Sequence, residues 1–138
     1  MPQVHINFLA VIVAAVVAFL IGGLWYSPLL FAKLWVKAHG YTDEQVAAMQ
    51  KGAAKAYGVT LLCQFLIALA MAVLIGYLDL HRCVQGLKLG SLVWAGFAVP
   101  LGLTAHMFSQ KRISVLCIDA GYQFVYLFLM GAILTVWR

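Results

Sequence analysis

Long apolar runs alternate with short polar segments along the 138 residues of this chain. Four of the runs are long enough to form helices that cross a bilayer, since about 20 apolar residues are needed to span its hydrocarbon core. The predicted fold class is therefore all-α, a transmembrane four-helix bundle that forms a single integral membrane domain over residues 1–138. The predicted spans cover about residues 6–25, 57–78, 84–108 and 114–137.

The connection between the first two spans is long, and its pattern predicts two cytoplasmic or interfacial helices rather than an irregular loop. Ser27 and Pro28 are typical of a helix start, and Gly40 is typical of a helix end. These signals place the first connecting helix at about residues 28–39.

A second connecting helix is predicted at about residues 43–56. Thr42 and Gln45 have the spacing of a capping box, in which each satisfies a backbone N–H group of the other. Gly52 and Gly58 are the expected bends on the way into the second span.

Aromatic and basic side chains flank the predicted spans, and such side chains favour the depth of the lipid headgroups. We therefore expect membrane-interface anchors near the ends of the first and last spans. They are Trp25, Lys33, Trp35, Lys37 and Trp137.

Small residues recur at every fourth position in three of the spans, which predicts faces where helix backbones approach closely. The pattern does not say whether the packing partner is the same chain or a second copy. Because four short helices present so much of this surface, a homo-oligomer is expected. The rows are Ala10, Ala14, Ala18 and Gly22, then Gln64, Ala68, Ala72 and Gly76, then Gly86 and Gly90, and finally Ala98, Gly102 and His106.

The composition agrees with a membrane location. Hydrophobic residues make up 65% of the chain and charged residues 9%, which leaves too little polar surface for a soluble globule. The formal net charge is +5, but the basic residues lie at the span ends, so lipid headgroups rather than nucleic acid are the expected partners. Residues 1–7 carry no Lys or Arg, so the first span is expected to be retained rather than cleaved as a signal.

The basic residues are divided unequally between the two sides of the membrane. Short cytoplasmic loops are enriched in Lys and Arg, so the connections after the first and third spans are predicted to be cytoplasmic. Both termini are then outside the cytoplasm, and the membrane is the inner (plasma) membrane. The predicted cytoplasmic side carries Lys33, Lys37, Lys51, Lys55, Lys111 and Arg112, against Arg82, Lys88 and Arg138 on the other side.

Asp119 is the residue that most needs an explanation, because it lies inside the fourth span. A charged side chain at the centre of a membrane helix costs about 2.5–3.5 kcal/mol and usually faces the bundle interior or a watery cavity. His106 enters the same short loop from the third span, so it is the predicted partner of Asp119. The candidate ligand- or proton-binding site in this cytoplasmic half consists of Asp119, His106, Gln123, Tyr122, Gln64 and Tyr26.

Several interpretations of this cluster stay open from the sequence. Asp119 and His106 could exchange protons or hold a cation, or they could form a clamp that only fixes helix packing. An enzyme with His106 as general base lacks a recognisable nucleophile, so no catalytic residue is assigned. Since His106, Cys117 and Asp119 have no known metal-ligand spacing, neither a metal nor another cofactor is expected.

The favoured function is a small transporter-like or solute-binding membrane protein that takes a small solute or a proton. The alternative is a non-catalytic structural or accessory subunit.

The segment AVVAFLIGGLWYSPLLFAKLW, the four-span plan and the closing IDAGYQFVYLFLMGAILTVW resemble the domain of unknown function 1761 family. The resemblance covers essentially the whole chain, and GGLWYSPLLFAKLW is its most specific part. It implies a small four-span bacterial membrane protein, but it implies no activity, substrate or catalytic residue.

Overall fold

The structure, a computed structural model, describes residues 3–138 and contains no strand in that range. Its helices form four long rods and two shorter connecting helices. A π-helical turn, Trp94–Ala98, joins α5 to α6, so these two form one continuous rod. The helices are α1 Phe8–Trp25, α2 Ala32–His39, α3 Asp43–Lys51, α4 Ala53–Tyr77, α5 Cys83–Val93, α6 Val99–Ser109 and α7 Ile113–Val136.

Four helices in the described range are long and apolar enough to cross a membrane. The chain is therefore a multi-pass membrane protein, and the predicted all-α fold with four spans is confirmed. The second span begins earlier than predicted, because α4 continues as one helix through Gly58. The four spans are Phe8–Trp25, Ala53–Tyr77, Cys83–Ser109 and Ile113–Val136.

Helix α7 packs against α1, α4 and α5 and is the centre of the bundle. The small-residue row of α1 lies inside this packing, since Ala10, Ala14 and Ala18 are all buried. Gly22 continues the row, and a Cβ atom there would lie 2.6 Å from the hydroxyl oxygen of Tyr122. The small-residue face of α1 is therefore packed against other helices of the same chain.

The contact between α5 and α7 depends on glycine. A Cβ atom on Gly86 would clash with the carbonyl oxygen of Gly131, and one on Gly90 would clash with that of Leu127. The GxxxG pair thus lets two backbones touch, and its partner is α7 of the same chain.

The first connecting helix differs from its prediction, because α2 begins at Ala32 and not at residue 28. The Ser27 hydroxyl donates to the Leu24 carbonyl at 2.6 Å, so Ser27 ends α1 instead of capping α2. The predicted end is confirmed, since Gly40 has the left-handed conformation (φ 73°) that glycine adopts without strain.

The second connecting helix has the predicted start. Thr42 and Gln45 form the capping box, with the Gln45 N–H donating to Thr42 Oγ1 at 3.2 Å and the Thr42 N–H donating to Gln45 Oε1 at 2.9 Å. This helix, α3, ends at Lys51 and not at the predicted residue 56, because Gly52 separates it from α4, to which residues 53–56 belong. The bend at Gly52 is therefore confirmed, whereas Gly58 lies within a continuous helix.

Candidate functional site

Three tryptophan side chains converge on three consecutive residues of α7. The indoles come from the end of α1, from α2 and from the π turn, and we call residues 118–120 with these three indoles the indole hub. It fastens three separate elements to one turn of α7. Trp25 donates to the Ile118 carbonyl (3.0 Å), Trp35 to Asp119 Oδ1 (3.2 Å) and Trp94 to the Ala120 carbonyl (2.8 Å).

Asp119 is the charged residue of the hub, and it is half-buried. Its Oδ1 atom accepts a hydrogen bond from the Tyr26 hydroxyl at 2.6 Å in addition to the one from Trp35. The other oxygen, Oδ2, takes no hydrogen bond from any residue between 3 and 138. The carboxylate is therefore fixed through Oδ1, and Oδ2 has no hydrogen-bond donor among residues 3–138.

Tyr26 follows the last residue of α1, and its partly buried hydroxyl stays protonated and donates to Asp119. Burial raises the pKa of the Tyr26 hydroxyl far above its usual value of 10, and the hydrogen bond to Asp119 raises it further. The hydroxyl therefore keeps its proton over the whole physiological range.

Aromatic rings extend from Asp119 toward the end of the bundle. The rings of Tyr26 and Trp35 are 6.0 Å apart, and His39 lies 4.1 Å from Trp35. Tyr41 stacks on His39 at 4.8 Å with only 8° between the planes. We call Tyr26, Trp35, His39 and Tyr41 the aromatic wall.

A local backbone motif builds part of this wall. The Tyr41 N–H donates to the Val36 carbonyl (3.2 Å) and the Gly40 N–H donates to the Lys37 carbonyl (3.1 Å), which is the Schellman pattern that ends α2. This turn at Gly40 folds Tyr41 back against His39. The wall is therefore fixed by the same glycine that ends the helix.

One basic side chain, Lys111, contacts the aromatic wall. The Lys111 ammonium lies 5.0 Å from the centre of the Tyr41 ring, a cation–π contact.

Neither ring nitrogen of His39 has a hydrogen-bond partner in the described part of the chain, and both are buried. Burial lowers the pKa of His39 and the charge of Lys111 lowers it further, while Asp119 acts in the opposite direction. His39 is consequently neutral at pH 7.

Deeper in the bundle, a second polar group joins three helices. Gln64 donates to the Tyr122 hydroxyl at 3.0 Å, and that hydroxyl donates to the Ala18 carbonyl at 2.7 Å. This chain of bonds connects α4, α7 and α1. Gln64 and Tyr122 were both predicted site residues, and the structure brings them to each other rather than to Asp119, although the Tyr122 and Tyr26 rings pack 5.5 Å apart.

The predicted pairing of Asp119 with His106 is not found. His106 is half-buried on α6, and no hydrogen bond joins its ring to Asp119 among residues 3–138. The pair was inferred from depth in the membrane, but Tyr26 and Trp35 are the donors that reach the carboxylate. Gln123 also makes no hydrogen bond within the described chain, and no three His, Cys, Asp or Glu side chains there are placed to share a metal ion.

The predicted interface anchors divide into two groups. Trp25 and Trp35 use their N–H groups inside the protein, so these groups are not available to lipid headgroups. Lys33 and Lys37 are exposed on α2, and Trp137 is exposed after the end of α7. Their role as anchors stays a prediction.

Sequence reasoning missed Trp94, His39 and Tyr41 as members of the site, and it assigned Trp25 and Trp35 only to the membrane interface. The only local signal was at Gly40, where a helix-ending glycine stands between two aromatic rings. Trp94 had no such signal, because its partner Ala120 belongs to a different span.

A family model described as "Protein of unknown function (DUF1761)" matches residues 9–135 of the chain. The matched range includes the indole hub, the aromatic wall and the Gln64–Tyr122 pair. No curated protein and no solved structure matches the chain.

Proposed function

The chain belongs to the DUF1761 family, whose function is unknown, and we propose that it is a solute-binding, transporter-like membrane protein whose ligand is a small organic cation such as a protonated amine. The binding group is the carboxylate of Asp119. The observation that carries the proposal is that only one of its two oxygens accepts hydrogen bonds from the described chain. Tyr26 and Trp35 fix Oδ1, and Oδ2 takes no hydrogen bond from residues 3–138.

The chemistry around Oδ2 suits a cation. A carboxylate inside a membrane protein is costly unless it faces water, a partner or a ligand, and a positive group neutralises it. Aromatic faces add attraction for ammonium groups within about 6 Å of the ring centre. Lys111 already holds its ammonium at such a distance from Tyr41, which supports the aromatic wall as a surface that accepts cations.

The side of the membrane is part of the proposal. The loops at the Asp119 end carry most of the Lys and Arg residues, which favours a cytoplasmic position in the inner membrane with both termini outside. A phosphatase reporter fused after Arg138 tests this. The phosphatase is expected to be active, because the carboxyl terminus lies outside the cytoplasm. An inactive phosphatase fusion, together with activity of a reporter that works only in the cytoplasm, would show the opposite orientation.

Uptake into vesicles tests the function. Purified protein is reconstituted into liposomes with an inside-negative potassium diffusion potential, and radiolabelled methylammonium is added outside. The wild type is expected to accumulate more label than protein-free liposomes, and Asp119→Asn is expected to accumulate no more than they do. Glu44→Gln, which removes an exposed carboxylate of α3, is expected to behave as wild type. Equal uptake by Asp119→Asn and wild type would refute the proposal.

The second candidate is a non-catalytic structural or accessory subunit, acting in a homo-oligomer or beside another membrane protein. One observation favours it, namely that three indoles fasten α1, α2 and the π turn to residues 118–120. In that case Asp119→Asn lowers thermal stability in detergent and has no effect on cation binding. Cross-linking in native membranes measures whether copies associate, and a species of one chain only would exclude the homo-oligomer.

A further inference from the structure

An apolar groove runs along the outside of the bundle between α1 and α4. Its volume is about 360 Å³, and almost all of its lining is carbon. It shares no residue with the indole hub or the aromatic wall. The lining residues are Ile12, Ala15 and Val16 of α1, and Gly58, Leu61, Leu62 and Phe65 of α4.

Gly58 lies at an open part of the groove. A Cβ atom at this position would meet no other atom within 4 Å, so a longer side chain there would extend into the free space of the groove. Leu62 and Ile12 are 58% and 49% exposed, so the groove opens to the surroundings of the bundle, which is lipid for a spanning helix.

A lysine stands at one end of the groove. Lys55, Gly58, Leu62 and Phe65 follow one another at intervals of three and four residues, which places them along one face of α4. Lys55 is exposed and precedes Gly58 by about one turn of helix, near 4.5 Å at 1.5 Å per residue. Lys51 ends α3 just before the bend at Gly52 and adds a second exposed charge.

From this arrangement we propose that the groove binds one anionic phospholipid, with an acyl chain between α1 and α4 and the phosphate beside Lys55. The order of groups matches that of a lipid, because a charged head at the interface precedes an apolar chain that extends inward. Lysines near a membrane surface attract anionic headgroups. The ligand is a diacyl phosphoglyceride of net negative charge.

A second copy of the chain fits the groove less well. A two-fold contact through this face would put the Lys55 residues of both copies at the same end of the interface, where like charges repel. A lipid phosphate neutralises the same lysine.

Lipid retention measured by native mass spectrometry tests the proposal. The full chain is released from micelles that contain equal amounts of phosphatidylglycerol and phosphatidylcholine. Wild-type protein is expected to retain one phosphatidylglycerol in preference to phosphatidylcholine, and Lys55→Gln to reduce that preference about 5-fold, the contribution of one surface lysine. Lys33→Gln, which removes an exposed lysine of α2, is expected to keep it.

Filling the groove provides the second arm. Gly58→Leu is expected to abolish retention, whereas Gly23→Leu, at an equally open glycine of α1 outside the groove lining, is expected to keep it. The proposal is overturned if both lipids are retained equally, if Gly58→Leu still retains phosphatidylglycerol as wild type does, or if Gly58→Leu only converts a dimer to a monomer. Retention by Gly23→Leu shows that a leucine on an exposed helix does not by itself prevent folding or binding.

Discussion

Tyr26 and Asp119 are joined by a hydrogen bond of 2.6 Å, although 93 residues separate them in the chain. The bond fixes the end of α1 to α7 at the point where Trp35 of α2 reaches the same carboxylate oxygen. Asp119 is thus oriented by two neutral donors, and its second oxygen is the group that the proposed function uses.

Removal of the Tyr26 hydroxyl is expected to loosen this junction. Tyr26→Phe loses one hydrogen bond to a charged group and keeps the ring, so the free energy of unfolding should fall by about 1–2 kcal/mol. Thermal unfolding in detergent measures the change. Tyr57→Phe, at an exposed tyrosine of α4, is the control and should leave the midpoint unchanged. A Tyr26→Phe protein as stable as wild type would contradict the role given to this bond.

Tyr122→Phe is expected to cost more than Tyr126→Phe. The first change removes both bonds of the Gln64–Tyr122–Ala18 chain and leaves the buried Gln64 side chain without its partner. The loss should be about 1–3 kcal/mol. Tyr126 is equally buried on the same helix, but its hydroxyl makes no hydrogen bond within residues 3–138, so its loss should have a small effect. Equal effects of both changes on the unfolding midpoint would show that the bonds contribute nothing.

The contact between α5 and α7 should not tolerate a methyl group. In Gly90→Ala the new Cβ would lie 2.8 Å from the carbonyl carbon of Leu127, so the backbones must separate. Overpacking of this kind costs about 1–3 kcal/mol. Gly96→Ala is the matched control, because no atom lies within 4 Å of a Cβ there. The two variants should differ clearly in the denaturant needed for half-unfolding, and similar values would argue against close packing at Gly90.

His39 makes the stability depend on pH in a defined direction. Its pKa in the folded protein is lowered from 6.5, so below that pH the unfolded chain binds more protons than the folded one. Stability is therefore complete above about pH 6.5 and falls as the pH drops toward 5. Unfolding midpoints measured across this range should decline for wild type and for His106→Gln, but less for His39→Gln. A decline that is unchanged in His39→Gln would assign the effect to another group.

Much of the fold follows from local sequence signals. Four apolar runs predicted four spans, and the Thr42–Gln45 spacing predicted the start of α3, because both depend on residues near one another in the chain. Gly86 and Gly90 predicted a close contact but not its partner on α7. Ser27 was misassigned because its hydroxyl can cap the helix before it as well as the helix after it.

The site itself was only half predictable. Asp119, Gln64 and Tyr122 stood out because polar groups inside spans need partners, and Tyr26 stood out because it continues the small-residue row of the first span. Their actual pairing depends on contacts across the bundle, and Trp35 reaches Asp119 across 84 residues of sequence. A tryptophan at the end of a span is ordinarily explained by the headgroup region, so its inward hydrogen bond carried no signal in the sequence.

Direct binding of methylammonium to the purified protein tests the central claim, that Asp119 is a cation site. Isothermal titration calorimetry is done in detergent on wild type, Asp119→Asn and Glu44→Gln, after circular dichroism has established that each is folded. We expect wild type and Glu44→Gln to bind alike and Asp119→Asn to bind at least about 10-fold more weakly, a loss of about 1.4 kcal/mol. Equal affinity in Asp119→Asn and wild type, or no binding by folded wild type, would contradict the claim and leave the hub as a structural junction.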